Sequence, residues 1–125
     1  MRHLVSSCII IFILVTSAYA EEPRSVAVYK KHMRSSDHNK GNFDHLMHHM
    51  LYLSGVADAY KVMNDRRTAA ERQPLYCQPD DVSLNGNDYI RMFEPGLYDS
   101  ANPLPDHLTV AEALLLVLQE EFPCK

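Results

Sequence analysis

Oxygen-bearing side chains alternate with apolar ones in residues 81–86, which read DVSLNG. A helix–loop–helix calcium site begins in this way, because side chains at its first, third and fifth positions bind the ion and a glycine at the sixth permits a sharp turn. Such a loop also requires a bidentate glutamate at its twelfth position, which is Met92 here. We therefore interpret the stretch as the start of a helix, with Ser83 as its N-cap.

Five of the seven histidines lie within residues 32–49. His45 and His49 are four residues apart, so both can face one side of a helix and share a metal ion. No glutamate follows His45 in the zinc-protease arrangement, and no third ligand is evident in the sequence. A solvated polar face is the favoured interpretation, and a metal-binding segment over 32–49 remains the alternative.

The sequence contains little that indicates a catalytic site. The chain has no Gly-x-Ser-x-Gly segment of the kind that exposes a nucleophilic serine. A thiol nucleophile formed by Cys77 and His107 is conceivable, but it requires Cys77 to be a free thiol. We expect no catalytic residue, no bound metal and no cofactor.

The first twenty residues have the pattern of a secretory signal peptide. A basic start precedes the apolar run of residues 8–15, and small residues stand at Ala18 and Ala20. Cleavage after Ala20 leaves one domain, residues 21–125, in the periplasm. The loss of Arg2 takes the formal net charge from −4 to −5. No run of basic residues is present, so nucleic acid and anionic membranes are not expected partners.

Two cysteines, Cys77 and Cys124, remain in the exported chain. In an oxidising compartment an even cysteine count favours pairing, and two buried thiols are the alternative. In the chain-entropy model a bond closing a loop of this length stabilises the fold by about 4 kcal/mol.

Apolar periodicity predicts two strong helices, over 43–63 and 109–121. Thr109 and Glu112 form a capping box at the start of the second. We expect Gly55, in the middle of the first helix, to mark the close approach of another backbone. A weaker helix is predicted over 84–93, a proline-rich loop over 94–108, and a short helix or strand over 24–33. The fold class is therefore all-α, a small single domain of three to five helices with one disulfide.

Three pieces of sequence then stand in a recognisable order. Residues 52–59 read YLSGVADA, residues 76–83 read YCQPDDVS, and residues 122–124 read FPC. With the signal peptide, this order resembles the Rap/Tai immunity-protein family of bacterial type VI secretion, over about residues 45–124. Cys77 and Cys124 match the cysteines of that family, and Ser83 stands where members have threonine. One departure is His49, which replaces a cysteine that members often carry.

The resemblance implies a small all-α periplasmic protein, usually a homodimer, that binds and inhibits a peptidoglycan amidase delivered by another cell. Gly55 and Asp58 match the helix motif of the family. The resulting hypothesis is a non-enzymatic immunity protein. The alternative is a periplasmic metal-binding or stress protein that uses the histidine-rich segment 32–49.

The loop over 94–108 is our candidate for the partner-binding surface. It lies between the disulfide-anchored segment and the C-terminal helix, and a loop held in place loses less entropy on docking. Tyr98 is the candidate aromatic anchor, and the acidic side chains would attract a basic partner. The candidate residues are Glu94, Tyr98, Asp99, Asn102 and Asp106.

Overall fold

A computed structural model describes residues 24–35, 42–99 and 101–125. These ranges contain four helices: α1 (Val26–Ser35), α2 (Asn42–Ala69), α3 (Gly86–Tyr98) and α4 (Val110–Glu121). One disulfide joins Cys77 to Cys124. The predicted all-α fold with one disulfide is confirmed. The predicted signal peptide, residues 1–20, lies outside the described residues. In the part of the chain that is described, no helix has the length and apolar character needed to cross a membrane.

Helix α2 is longer than its apolar periodicity indicates, because the prediction ended it at residue 63. Residues 64–69 continue the helix although they bury little apolar surface. Arg66 and Arg67 lie in the last turn, where the negative end of the helix dipole favours cations. The helix ends where Glu71 adopts a positive φ of 54°. The side chain of Arg67 then donates to the carbonyl of Gln73, at 2.6 Å, and closes the turn.

Helix α3 begins later and ends later than predicted. Its N-cap is Asn85, not Ser83: the Asn85 side chain accepts from the backbone of Asp88, and the Asp88 carboxylate accepts from the backbone of Asn85. Asn85, one of the three side chains that resembled calcium ligands, thus belongs to a capping box. The helix also continues through Pro95 to Tyr98, so the prediction that residue 94 begins a loop is wrong.

The core lies between the helices, with Phe93 of α3 fully buried near its centre. The ring of Tyr29 on α1 meets it edge-on, with the centroids 5.2 Å apart. Each helix contributes a buried stripe at helical spacing, which explains why these segments fold together. The buried residues are Val26, Tyr29, Leu53, Ala57, Tyr76, Tyr89, Ile90, Phe93, Leu97, Val110, Ala113, Leu114 and Leu118.

The close backbone approach predicted at Gly55 occurs elsewhere. A Cβ built on Gly55 would meet nothing within 4 Å, because that residue faces outward. At Gly86, the first residue of α3, a Cβ would lie 3.0 Å from the Cβ of Met50 and 3.1 Å from the Ser54 hydroxyl. Gly86 therefore allows the start of α3 to pack directly on α2. The reading of Gly55 was wrong because a sequence cannot show which face of a long helix is covered.

Candidate partner-binding surface

The five residues predicted to contact a partner lie on two different elements. Glu94 and Tyr98 belong to the last turns of α3, and Asp99 is its C-cap. Asn102 and Asp106 lie in the segment that leads to α4. All five are exposed.

Three of the five predicted residues share one shallow depression at the end of α3. Glu94, Tyr98 and Asp99 line it together with Arg91 and Pro95. Tyr98 is 48 % exposed, an unusual position for an aromatic ring. Arg91 places a cation beside the two carboxylates, so this surface is mixed in charge and not uniformly acidic. It suits a partner that presents an apolar group flanked by both charges.

A glycine fixes the chain where it leaves α3. The Leu104 N–H donates to the Gly96 carbonyl at 2.6 Å. A Cβ on Gly96 would lie 2.8 Å from Cγ of Leu104, so a larger residue would displace that leucine. Asp99 accepts from the Ala101 N–H at 2.8 Å and turns the chain. These contacts hold the first half of the segment against α3.

Helix α1 holds the second half of the segment between α3 and α4. The N–H groups of Val26 and Ala27 donate to the carbonyls of Leu108 (2.9 Å) and Asp106 (3.3 Å). Nζ of Lys30 also lies 2.6 Å from Oδ1 of Asp106. The first amides of α1 are therefore satisfied by this segment, as a helix N-terminus requires. Because of this ion pair, the positive charge of Lys30 already compensates the negative charge of Asp106 in part before any partner binds.

The disulfide acts at a different place from the one we expected. The Cys77 N–H donates to the Phe122 carbonyl at 2.8 Å, and Nε2 of Gln119 donates to the Leu75 carbonyl at 3.0 Å. The bond thus joins the segment after α2 to the C-terminal end of α4. The candidate loop enters α4 at its other end, about 18 Å away for a helix of 12 residues. Gly96, Leu104 and α1 hold the loop, so the sequence hypothesis that the disulfide holds it needs correction.

The helix motif of residues 52–59 faces both the core and α3. Leu53 and Ala57 are buried. Burial raises the pKa of the Tyr89 phenol above its ordinary value, and the negative charge of Asp58 raises it further. Asp58 of the motif therefore lies close to Tyr89 on α3. Burial likewise raises the pKa of Tyr29, with the charge of Glu94 as the next cause, so Tyr29 lies behind the candidate surface.

Three of the clustered histidines line one cavity between α1 and α2. His32 and His48 are exposed and His49 is half-buried. The side chains of His38 and His45 lie outside the described residues, so the predicted His45–His49 pair does too. Among the side chains that are described, no three His, Cys, Asp or Glu groups come together in a way that can hold a metal ion.

The remaining sequence hypothesis for chemistry concerned a thiol. Cys77 is bonded to Cys124, so the free thiol that a Cys77–His107 nucleophile requires is absent at this position. Sequence reasoning also missed Gly96, Leu104, Lys30 and Arg91, which shape or neutralise the candidate surface. A glycine followed by a proline-rich stretch was the available signal for Gly96.

No family model, curated protein or solved structure matches this chain.

Proposed function

We propose that this chain is an exported, non-enzymatic binding protein, an immunity protein that inhibits a peptidoglycan amidase delivered by type VI secretion. The observation that carries the proposal is the pairing of Cys77 with Cys124 in a small all-α domain whose described residues form four helices. The resemblance to the Rap/Tai family implies this pairing and this fold class. The mildly acidic chain and its signal-like first twenty residues agree with a periplasmic location.

The surface that meets the amidase is the depression at the end of α3. The backbone of the segment that leaves it is held by two hydrogen bonds, from the Leu104 N–H to the Gly96 carbonyl and from the Ala27 N–H to the Asp106 carbonyl. A surface held before binding loses less conformational entropy when a partner docks. Tyr98 is half-exposed at its edge and supplies the large, rigid contact typical of a binding hot spot. Glu94 adds a charge that orients the partner.

A homodimer is part of the proposal. The outward face of α2 carries three large apolar side chains that remain about half-exposed, Leu51 (63 %), Val62 (51 %) and Met63 (46 %). Gly55 lies between them and leaves open space where a second backbone can approach. This face is the candidate contact with a second copy. Leu51→Glu should convert a dimer to a monomer in size-exclusion chromatography with light scattering, without loss of helicity.

The test of the immunity proposal is capture of a defined enzyme. The oxidised protein, tagged, is mixed with amidases encoded beside its gene. Stoichiometric capture of one of them, with loss of its peptidoglycan-cleaving activity, supports the proposal. If every neighbouring amidase stays active and unbound, the immunity proposal fails while the fold stands.

Variants locate the surface. Tyr98→Ala should weaken inhibition at least tenfold, since truncation of a hot-spot aromatic costs about 2 kcal/mol or more. Glu94→Lys reverses an exposed charge on the same helix end and should reduce the association rate. Glu120→Lys makes the same change on an exposed position of α4 and is the matched control. Equal inhibition by all three variants would contradict the assignment of this surface.

The alternative function, metal binding by segment 32–49, has a direct test. Calorimetric titration with zinc should show no tight site if the protein is an immunity protein. A stoichiometric submicromolar site, lost in a His48→Gln/His49→Gln variant, would favour the alternative instead.

A further inference from the structure

The sequence contains one Asn-Gly pair, Asn85 and Gly86, and it stands where α3 begins. Asparagine followed by glycine is the pair most prone to spontaneous deamidation, because glycine has no side chain to shield its amide nitrogen. This nitrogen attacks Cγ of the asparagine, ammonia leaves, and a succinimide ring remains. Water then opens the ring at either carbonyl, which gives aspartate or isoaspartate. The net reaction is hydrolysis of one side-chain amide, and water is its co-reactant.

Packing and capping account for both residues of this pair. A Cβ on Gly86 would lie 3.0 Å from Cβ of Met50 and 3.3 Å from the Met50 carbonyl, so a residue with a side chain would press on α2. Oδ1 of Asn85 accepts from the N–H groups of Asn87 (2.9 Å) and Asp88 (3.3 Å), as an N-cap does. The contacts that start α3 therefore also place a chemically labile amide there.

The same contacts oppose the reaction while the protein is folded. Ring closure requires Cγ of Asn85 to turn toward the Gly86 nitrogen, whereas the two bonds to Oδ1 hold the side chain on the first turn of α3. The backbone is fixed as well. The Asn85 carbonyl accepts from the Tyr89 N–H at 3.1 Å, and the Asn85 N–H donates to the Asp88 carboxylate at 2.9 Å. Formation of the succinimide therefore has to break the capping box first.

Access of water does not limit the reaction. Asn85 is exposed, so water reaches this position in the folded protein. Local opening of a chain end or a helix end costs less free energy than opening of the core. Opening of the cap therefore controls the rate at which Asn85 reacts.

We propose that Asn85 is a deamidation site under the control of the fold: the capping box suppresses the reaction in the native protein, and loss of the cap releases it. The two products affect α3 differently. Aspartate keeps an acceptor at the N-cap and places a negative charge where the helix dipole favours one. Isoaspartate inserts a methylene group into the backbone just before Gly86 and moves that residue out of its fit against Met50.

This modification acts at the start of α3, whereas the candidate amidase surface lies at the other end of the helix. For a helix of 13 residues the two ends are about 20 Å apart. The proposal therefore goes beyond amidase inhibition and does not depend on it.

Mass spectrometry of the oxidised protein measures the reaction. Samples are kept at pH 7.5 and 37 °C, either native or in guanidinium chloride above the unfolding midpoint, and are then reduced and digested with trypsin. Cleavage after Arg72 and Arg91 gives one peptide that contains both Asn85 and the less reactive Asn87. Deamidation at Asn85 should be at least tenfold slower in the native protein. Isoaspartate should be among the products of the unfolded chain.

A matched pair of variants separates the local cap from global stability. Asp88→Ala removes the carboxylate that accepts from the Asn85 N–H and should accelerate native deamidation about threefold or more. Glu112→Ala removes the equivalent half of the capping box of α4 and should leave the rate at Asn85 unchanged. In guanidinium chloride both variants should match the unmodified protein, because the caps are absent there.

Three outcomes overturn the proposal. The first is an equal rate in the native and the unfolded protein, which would show that the cap does not protect Asn85. The second is native deamidation that Asp88→Ala leaves unchanged. The third is equal acceleration by Asp88→Ala and Glu112→Ala, which would make global unfolding the controlling step. If Asp88→Ala fails to fold, the comparison of native and unfolded samples of the unmodified protein decides.

Discussion

Removal of the Cys77–Cys124 bond should cost this protein about 4 kcal/mol of stability. The bond closes a loop with a sequence separation of 47 residues. In the chain-entropy model this loop removes about 14 cal/mol/K from the denatured ensemble, or about 4 kcal/mol at 25 °C. Folded domains have only about 5–15 kcal/mol in total, so the unbridged protein should be close to unfolding.

The native contacts around the bond should survive its removal. The loss of stability therefore comes from the greater conformational entropy of the unfolded chain. The Cys77 N–H would still donate to Phe122, and Gln119 would still donate to Leu75. Cys77 is exposed, so serine at that position adds no buried polar group. We therefore expect the folded structure of Cys77→Ser/Cys124→Ser to keep the same helices.

Urea unfolding followed by circular dichroism measures the loss. With an m value of about 1–2 kcal/mol/M for a domain of this size, the midpoint should fall by about 2–4 M. The single variant Cys77→Ser and the reduced wild-type protein should fall by the same amount, since each opens the same loop. A change below about 1 kcal/mol would refute the reasoning. It would mean that the denatured chain stays compact without the bond.

Three further predictions concern single side chains and pH. In the monomeric Leu51→Glu background, where no second copy covers this face, Gly55→Ala fills open space on an exposed helix face and should raise stability by about 0.5–1 kcal/mol. Gly86→Ala would press on Met50 and should lower stability by about 1–3 kcal/mol. The two glycine variants should therefore shift the midpoint of thermal unfolding in opposite directions. Tyr29→Phe removes a hydroxyl without a partner and should leave stability equal or higher, whereas Tyr60→Phe loses a 2.8 Å hydrogen bond to a backbone carbonyl and should cost about 1 kcal/mol. Equal losses in these two variants would place a partner on Tyr29. Finally, burial raises the pKa of several phenols above 10.0, so the folded state favours their neutral form. Their contribution to the free energy of unfolding is fully present below pH 10. It is lost as the pH rises above 10 and the phenols ionise. Urea midpoints that increase between pH 9 and pH 11 would contradict this. The phenols are those of Tyr29, Tyr60, Tyr76 and Tyr89.

Local signals in the sequence were sufficient for the parts of the fold that depend on nearby residues. The capping box of Thr109 and Glu112 starts α4 as predicted, with the Thr109 N–H 2.9 Å from the Glu112 carboxylate. The same bonds lower the pKa of Glu112. The pairing of Cys77 with Cys124 followed from a count of cysteines in a chain predicted to be exported. Both conclusions need only residue type and order.

The extent of two helices depended on contacts that no local pattern records. Pro95 favours a break, yet α3 continues through it because Leu97 is buried at 3 % exposure and Leu104 packs on Gly96. Residues 64–69 remain helical although they lack an apolar stripe. Asn64 supports this end of α2, because its side chain bonds the backbone of Leu75 and Tyr76 in the returning segment.

The amino-acid sequence by itself determined the helical class, the disulfide, the cap of α4 and the presence of acidic and aromatic residues near positions 94–106. Only the tertiary structure decided which of these residues lie together. It joined Glu94 and Tyr98 with Arg91, paired Asp106 with Lys30, and moved the close approach from Gly55 to Gly86. The physical reason is that class and caps depend on neighbours along the chain, whereas charge pairing and close packing depend on which faces of distant helices meet.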